Sequence, residues 1–256
     1  MPSVAALNFP PIGELVDWKK FGPLGFNKTA LISVVALVVT LAVFFVAARK
    51  KALVPTGIQN VAESLVDFIT EGVILQTMGP EGMPFLPFLL AMFCFIFVCN
   101  IFEVIPFIQF PANARMANPL FLALIVWVLF IFMGFKRQGV FGYIKTSLFP
   151  PGVPKALYIL VTPIEALSTF LVRPFSLAVR LFANMLAGHL LLVTFALLTD
   201  ALLFHNTLLW LKPVAILPAA MDVGITGFEV LVAVLQAFIF TILTAVYLGG
   251  AMHPEH

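Results

Sequence analysis

The sequence predicts an all-α integral membrane protein with about five membrane helices plus one amphipathic interfacial helix, the last two membrane helices being long and tilted. Hydrophobic residues make up 62% of the 256 residues and charged residues only 10%, whereas soluble proteins carry about 25% charge. The apolar residues form runs of about 20, long enough for a helix to cross a hydrocarbon core of about 30 Å. These observations exclude a soluble enzyme, a secreted disulfide scaffold and a nucleic-acid-binding module. The net charge of +2 is too small to indicate a polyanionic partner.

The chain is predicted to form a single membrane domain, 1–256, that begins with an outer segment over 1–28 and a first membrane helix over 29–49. A basic cluster, Arg49 to Lys51, follows that helix at once. Basic residues favour the cytoplasmic side of a membrane, so the N-terminus is predicted outside and the C-terminus, after five crossings, in the cytoplasm. Seven basic residues then lie inside (Arg49, Lys50, Lys51, Lys136, Arg137, Lys145, Lys155) and five outside (Lys19, Lys20, Lys28, Arg115, Lys212).

Residues 56–77 are predicted to form the amphipathic helix, along the cytoplasmic surface of the membrane. Apolar residues recur at helical spacing on one face, and three acids follow an i, i+4, i+8 stripe on another, a pattern too polar to span. The apolar face holds Ile58, Val61, Leu65, Ile69 and Val73, and the acidic stripe holds Glu63, Asp67 and Glu71. We interpret the acids first as a solvated face.

Residues 84–137 are predicted to form a helical hairpin whose first helix ends at Asn100 and Glu103, before Pro106. A short polar loop over 107–118, containing Asn113, Arg115 and Asn118, joins its two helices.

Residues 156–250 are predicted to form a long antiparallel helix pair. At 1.5 Å per residue, its first helix approaches about 60 Å, and no turn cluster interrupts 176–198. We therefore expect tilted helices rather than further hairpins.

Ionisable side chains at membrane depth identify the candidate site, because each costs about 2.5–3.5 kcal/mol there and needs a reason to be present. At 100° per residue, Arg180 shares one face of its helix with Thr169, Arg173, Ser176 and Asn184, with Glu165 nearby and with His189 and Asp200 on the opposite face. On the last helix, Asp222, Glu229 and Gln236 are spaced by seven residues. One antiparallel register pairs Arg180 with Gln236 and His189 with Glu229.

This arrangement suits proton transfer. Carboxyl and imidazole groups gain and lose protons near neutrality when partly desolvated, whereas arginine does not. Arg180 would be a fixed positive barrier that attracts a carboxylate from another chain by about 4 kcal/mol at 4 Å. It divides two polar half-paths. The outer one holds His189, Glu229, Asp222, Asp200, Glu103 and Asn100, and the inner one holds Ser176, Arg173, Thr169 and Glu165.

Structural alternatives remain for several of these residues. His189 and Glu229 could be a buried structural pair, Arg173 a snorkelling anchor, and Asn184 and Gln236 ordinary interhelical hydrogen-bonding groups.

Three segments resemble the subunit a family of F-type ATP synthases. The segment from Arg173 to His189 (RPFSLAVRLFANMLAGH) resembles its signature, 235–248 its last helix, and 100–106 its Pro-terminated helix end. The resemblance covers about 90–250.

The resemblance implies the stator half of a rotary proton path in the cell (inner) membrane, as a non-catalytic part of a multi-subunit ATP synthase. Arg180 would face a ring of c subunits, each with a carboxylate, with Asn184 and Gln236 nearby. His189 and Glu229 would be a coupled pair whose acid and imidazole are exchanged between helices relative to familiar relatives. Arg115 departs from the acidic family version of its loop.

The implied partners are the c-subunit ring, peripheral-stalk subunits of the b type and the lipid bilayer. No nucleic acid, cofactor or metal is expected, and the sequence lacks the phosphate-binding G-x-x-x-x-G-K-[ST] motif.

The main alternative is a secondary transporter or ion channel with an intramembrane arginine site. A transporter would predict inverted repeats and broken helices, and the sequence shows neither. An intramembrane metalloenzyme would need a motif such as H-E-x-x-H, which is absent. A passive scaffold would leave Arg180 dispensable.

Overall fold

A computed structural model of the chain describes residues 28–49, 57–105, 112–149, 154, 157–205 and 209–252. Within these ranges five helices are long and apolar enough to cross a membrane. They are Thr29–Arg49, Pro80–Ile101, Ala117–Gln138, Tyr158–Phe204 and Lys212–Met252. The all-α membrane fold is confirmed, and the last two spans, of 47 and 41 residues, are far longer than one perpendicular crossing needs. The outer segment predicted over 1–28 lies outside the described residues except for Lys28.

The helices are numbered in chain order. They are α1 (Lys28–Arg49), α2 (Ile58–Ile69), α3 (Leu86–Ile101), α4 (Ala117–Gln138), α5 (Val140–Leu148), α6 (Tyr158–Leu167), α7 (Arg173–Asp200) and α8 (Ile216–Met252). Within the described ranges, π-helical turns occur at Thr70–Ile74, Ser168–Val172 and Ala201–His205. In the same ranges, 3-10 turns occur at Pro80–Phe85, Ala112–Ala114 and Leu209–Ala215.

Helix α2 is amphipathic, but its apolar face is covered unevenly. Ile69 and Val73 are fully buried against the other helices, whereas Ile58 and Val61 are 51% and 56% exposed. Glu63, Asp67 and Glu71 are all exposed. The C-terminal half of the helix is therefore anchored in the protein core, and its first turns present apolar side chains to the surroundings, as an interfacial helix does.

Helix α8 packs against α7, α3 and α4, and α7 also packs against α4. Their shared core is aliphatic and aromatic, and its fully buried members include Leu89, Ile96, Phe130, Leu181 and Leu248. The turn Ala112–Ala114 is buried and contacts both α1 and α7. The connection between α3 and α4 thus returns into the bundle instead of remaining a surface loop.

Pro174 explains the π-helical turn before α7. Proline has no backbone N–H and its ring crowds the carbonyl four residues earlier, which here belongs to Phe170. The wider turn over Ser168–Val172 is one of the recognised ways in which a helix absorbs such a defect. The segment from Tyr158 to Phe204 consequently stays one continuous span.

Gly139 joins α4 to α5 with φ 74° and ψ 162°, a conformation essentially restricted to glycine. An added Cβ would meet no atom within 4 Å, so substitution affects only the backbone. We expect Gly139→Ala to lower the free energy of unfolding in mixed micelles by about 1–3 kcal/mol. Gly142→Ala is the matched control. Its Cβ would lie 3.5 Å from Cβ of Gln138 at the end of α4, an ordinary contact, and alanine should raise the stability of α5 by up to about 1 kcal/mol. Equal losses of unfolding free energy in the Gly139 and Gly142 variants would contradict the conclusion that Gly139 is required by its backbone conformation.

Candidate functional site

Three ionisable side chains from three helices meet in the interior of the bundle. Glu103 follows the end of α3, His189 lies on α7 and Glu229 on α8, and their residues are 1%, 6% and 4% exposed. His189 Nδ1 lies 3.8 Å from Glu103 Oε1. The two carboxyl groups are close enough to interact through space. These three residues are called the buried acid–imidazole cluster below.

Gly188 allows Glu229 to enter this cluster. An added Cβ at Gly188 would lie 2.5 Å from the Glu229 carboxyl carbon, closer than real atoms approach. The carboxyl group therefore occupies the space that a side chain on α7 would need. The antiparallel register predicts that Glu229 pairs with His189. The observed contact is with Gly188, one residue before His189.

Several polar atoms around the cluster are buried and make no hydrogen bond within the described part of the chain. They are both carboxyl oxygens of Glu103, Oε2 of Glu229 and Nδ2 of Asn100. Such groups are rare in proteins because each costs about 1–3 kcal/mol, and perturbed groups of this kind concentrate at functional sites. Among the described residues, no three His, Cys, Asp or Glu side chains are arranged to hold a metal ion.

A chain of asparagines connects α3, three residues before Glu103, to the turn between α3 and α4. Asn118 Nδ2 donates to Asn113 Oδ1 at 2.7 Å, and Asn113 Nδ2 donates to Asn100 Oδ1 at 2.6 Å. Asn100 and Asn113 are 1% and 0% exposed. Sequence reasoning placed Asn113 only in a polar loop, because no helical period relates residues across an irregular connection.

Arg180 lies near the middle of the 47-residue span and is exposed on the surface of the chain. It makes no ion pair or hydrogen bond with any residue that the structure describes. Asn184, one turn further on, is half-buried, and Gln236 on α8 is buried. The chain thus presents an arginine outward near the middle of a long apolar span, and a charge is costly in hydrocarbon.

The residues predicted for the inner half-path follow the first part of the same span. Thr169 is buried within the π-helical turn, and Glu165 and Ser176 are half-buried. The guanidinium of Arg173 lies 5.5 Å from the centre of the Tyr247 ring, within cation–π range. Burial raises the pKa of Tyr143 on α5, while a hydrogen bond with Ser147 and the charge of Arg173 act in the opposite direction. Arg173 therefore lies between aromatic side chains of α8 and α5.

Asp200 and Asp222 do not join the buried cluster. Asp200 is exposed at the end of α7, and Asp222 is half-buried early in α8, where its carbonyl accepts a hydrogen bond from the Thr226 hydroxyl at 2.8 Å. At 1.5 Å per residue they lie about 16 Å and about 10 Å along their helices from His189 and Glu229. Both lie toward the connection between α7 and α8.

Comparisons with known proteins give one consistent family. A sequence model of the ATP synthase A chain family matches residues 30–249. The ATP synthase subunit a of Frankia alni is 43% identical over 91% of this chain and 80% of its own length. That of a Parafrankia species is 39% identical, covering 95% and 83%. That of a Nocardioides species is 38% identical, covering 100% and 94%.

Gly188→Ala tests the close approach of α8 to α7. The new methyl group must displace the Glu229 carboxyl, and we expect a loss of about 1–3 kcal/mol in the free energy of unfolding, as for other overpacked sites. Gly227→Ala, two residues before Glu229, is the control, because a Cβ there meets nothing within 4 Å and should not destabilise the helix. Unfolding in mixed micelles measures both. A Gly188 variant as stable as the Gly227 variant would contradict the packing of Glu229 on α7.

Proposed function

Because this chain belongs to the ATP synthase A chain family and is a multi-pass membrane part of the F-type ATP synthase, we propose that it is the stator of the proton path, with two half-channels separated by Arg180. The proposed rotor is a ring of c subunits. The supporting observation is the contrast between an outward-facing arginine at mid-span and a buried cluster of groups that exchange protons.

Arg180 is proposed as the essential barrier charge. A guanidinium exposed at mid-membrane needs an external counter-charge, and a rotor carboxylate at 4 Å would supply about 4 kcal/mol of attraction before desolvation. Since arginine holds its proton at any physiological pH, it cannot pass a proton from one half-channel to the other. Asn184 and Gln236 would provide hydrogen bonds beside it.

The outer half-channel is proposed to lead from Asp200 and Asp222 to the buried cluster of Glu103, His189 and Glu229, with Asn100 beside it. Carboxyl and imidazole groups relay protons because they titrate within reach of neutral pH once their surroundings perturb them. The proton reaches a rotor carboxylate from this cluster. The neutral carboxyl group then turns through lipid at far lower cost than a charged one.

The inner half-channel is proposed to pass Ser176, Thr169 and Glu165, with Arg173 at its side. When rotation returns the protonated carboxyl group to Arg180, the guanidinium favours the ionised form, and the proton leaves toward the inner side. Net transfer then requires rotation.

The proposed setting is the cell (inner) membrane, with the N-terminus outside and the C-terminus in the cytoplasm. The subunit would be non-catalytic and held by b-type peripheral-stalk subunits.

Arg180→Ala tests the proposal in inside-out vesicles that contain the complete ATP synthase. We expect ATP-driven proton pumping to fall by more than about a hundredfold, since losing about 4 kcal/mol of attraction corresponds to several powers of ten in rate. Passive proton leak should rise, because the barrier charge is gone.

Arg137→Ala is the matched control. Arg137 pairs with Glu81 at 3.2 Å on the surface, with about half of each side chain exposed, and such pairs contribute about 0–1 kcal/mol. Pumping and leak should stay at wild-type values there. Coupled pumping that survives the loss of Arg180 would overturn the proposal and favour a passive scaffold.

A further inference from the structure

The three linked asparagines form a chain of amides with one direction. An amide donates from nitrogen and accepts at oxygen. Asn113 accepts from Asn118 with its oxygen and donates to Asn100 with its nitrogen. Asn100 has thereby used its oxygen, and its Nδ2 group is left as the terminal donor. That nitrogen is buried and makes no hydrogen bond within the described residues.

The carboxyl oxygens nearest in sequence to this terminal donor also make no hydrogen bond within the described residues. Glu103 lies three residues after Asn100, and its backbone N–H donates to the Asn100 carbonyl at 3.1 Å, which holds the two residues in one turn. Both Glu103 carboxyl oxygens and Glu229 Oε2 are buried without hydrogen bonds in the same described region. An unmatched donor and an unmatched carboxyl group thus belong to residues of one turn, and no hydrogen bond joins them in this structure.

We propose that Asn113, anchored by Asn118, is a positioning residue that fixes the Asn100 amide with its Nδ2 group toward Glu103 and Glu229. This inference rests on the proposed proton path. Asn113 touches none of the acids and acts through Asn100. A hydrogen bond to a carboxylate favours its ionised form. An Asn100 amide that is held ready to donate when the acids ionise therefore lowers the outer pH at which the cluster is loaded with protons.

The elements packed around the end of α3 differ in the charged and titratable groups that they carry. These groups are Glu103 after α3, Cys99 on α3, His189 and Asp200 on α7, Glu229 on α8 and Arg115 in the connection to α4. Helix α1 has none between Lys28 and Arg49, and α4 has none before Lys136.

The test is ATP synthesis by the complete enzyme in proteoliposomes, measured as a function of pH on the outer side at constant membrane potential. Synthesis needs a protonated cluster, so the rate falls as the outer pH rises through a midpoint. In Asn113→Ala the Asn100 donor is no longer oriented, the cluster holds its proton more tightly, and the midpoint should rise by about one pH unit, the size expected for one hydrogen bond to a charged group.

Asn60→Ala is the matched control, because it removes the same amide from an exposed position on α2 and should leave the midpoint at the wild-type value. Serine is one bond shorter than asparagine and reaches neither neighbour, so Asn113→Ser should behave as Asn113→Ala does. Asn118→Ala removes the more distant bond and should shift the midpoint upward by less than Asn113→Ala. It also covers the case in which Asn113→Ala fails to assemble.

A lowered rate with an unchanged midpoint in Asn113→Ala and Asn118→Ala would show that the asparagines serve packing alone, and would overturn the proposal. An Asn60→Ala variant shifted as far as Asn113→Ala would also overturn it. Arg180→Ala in the same preparation separates the two levels. If the Arg180→Ala enzyme still couples proton flow to ATP synthesis, the proposed function is wrong. If that enzyme loses synthesis but the Asn113 and Asn118 variants keep the wild-type pH midpoint, only the role of Asn113 is wrong.

Discussion

The free-energy cost of a charge in hydrocarbon governs this structure. The few ionisable side chains within or beside the long spans either contact one another in the interior or lie at least partly exposed on the surface of the chain. Glu103, His189 and Glu229 are enclosed by three helices and interact with each other. Arg180, on the same helix as His189, is exposed instead. Burial concentrates titratable groups where water is scarce, and exposure of Arg180 leaves room for a second chain.

Close helix packing makes the buried cluster possible. Gly188 has no side chain, so the Glu229 carboxyl lies against the α7 backbone. From the other side, the buried turn Ala112–Ala114 brings Asn113 against α7 and α1. A helix pair and one irregular connection therefore form a single polar compartment within an otherwise apolar core, and the compartment depends on both.

Helical period and hydrophobic run length predicted the features that repeat along one helix. The five spans, the amphipathic α2 and the packing of Glu229 on α7 at Gly188, next to His189, follow from spacing, because one register relates two straight antiparallel helices. Contacts that cross irregular segments could not be predicted this way. The 3.8 Å separation between Glu103 and His189, the Asn113–Asn100 bond and the Arg173–Tyr247 contact each depend on tertiary placement that no period encodes. Pro174 was visible in the sequence, but its accommodation as a π-helical turn was not.

The exposure of Arg180 also bears on how the subunit is made. An exposed guanidinium that meets lipid costs about 2.5–3.5 kcal/mol. Under the proposed function, docking onto a rotor carboxylate would remove that cost, so the solitary subunit would be the higher-energy species. The same side chain would then favour assembly of the complex as well as block direct proton passage, and loss of its charge would weaken both.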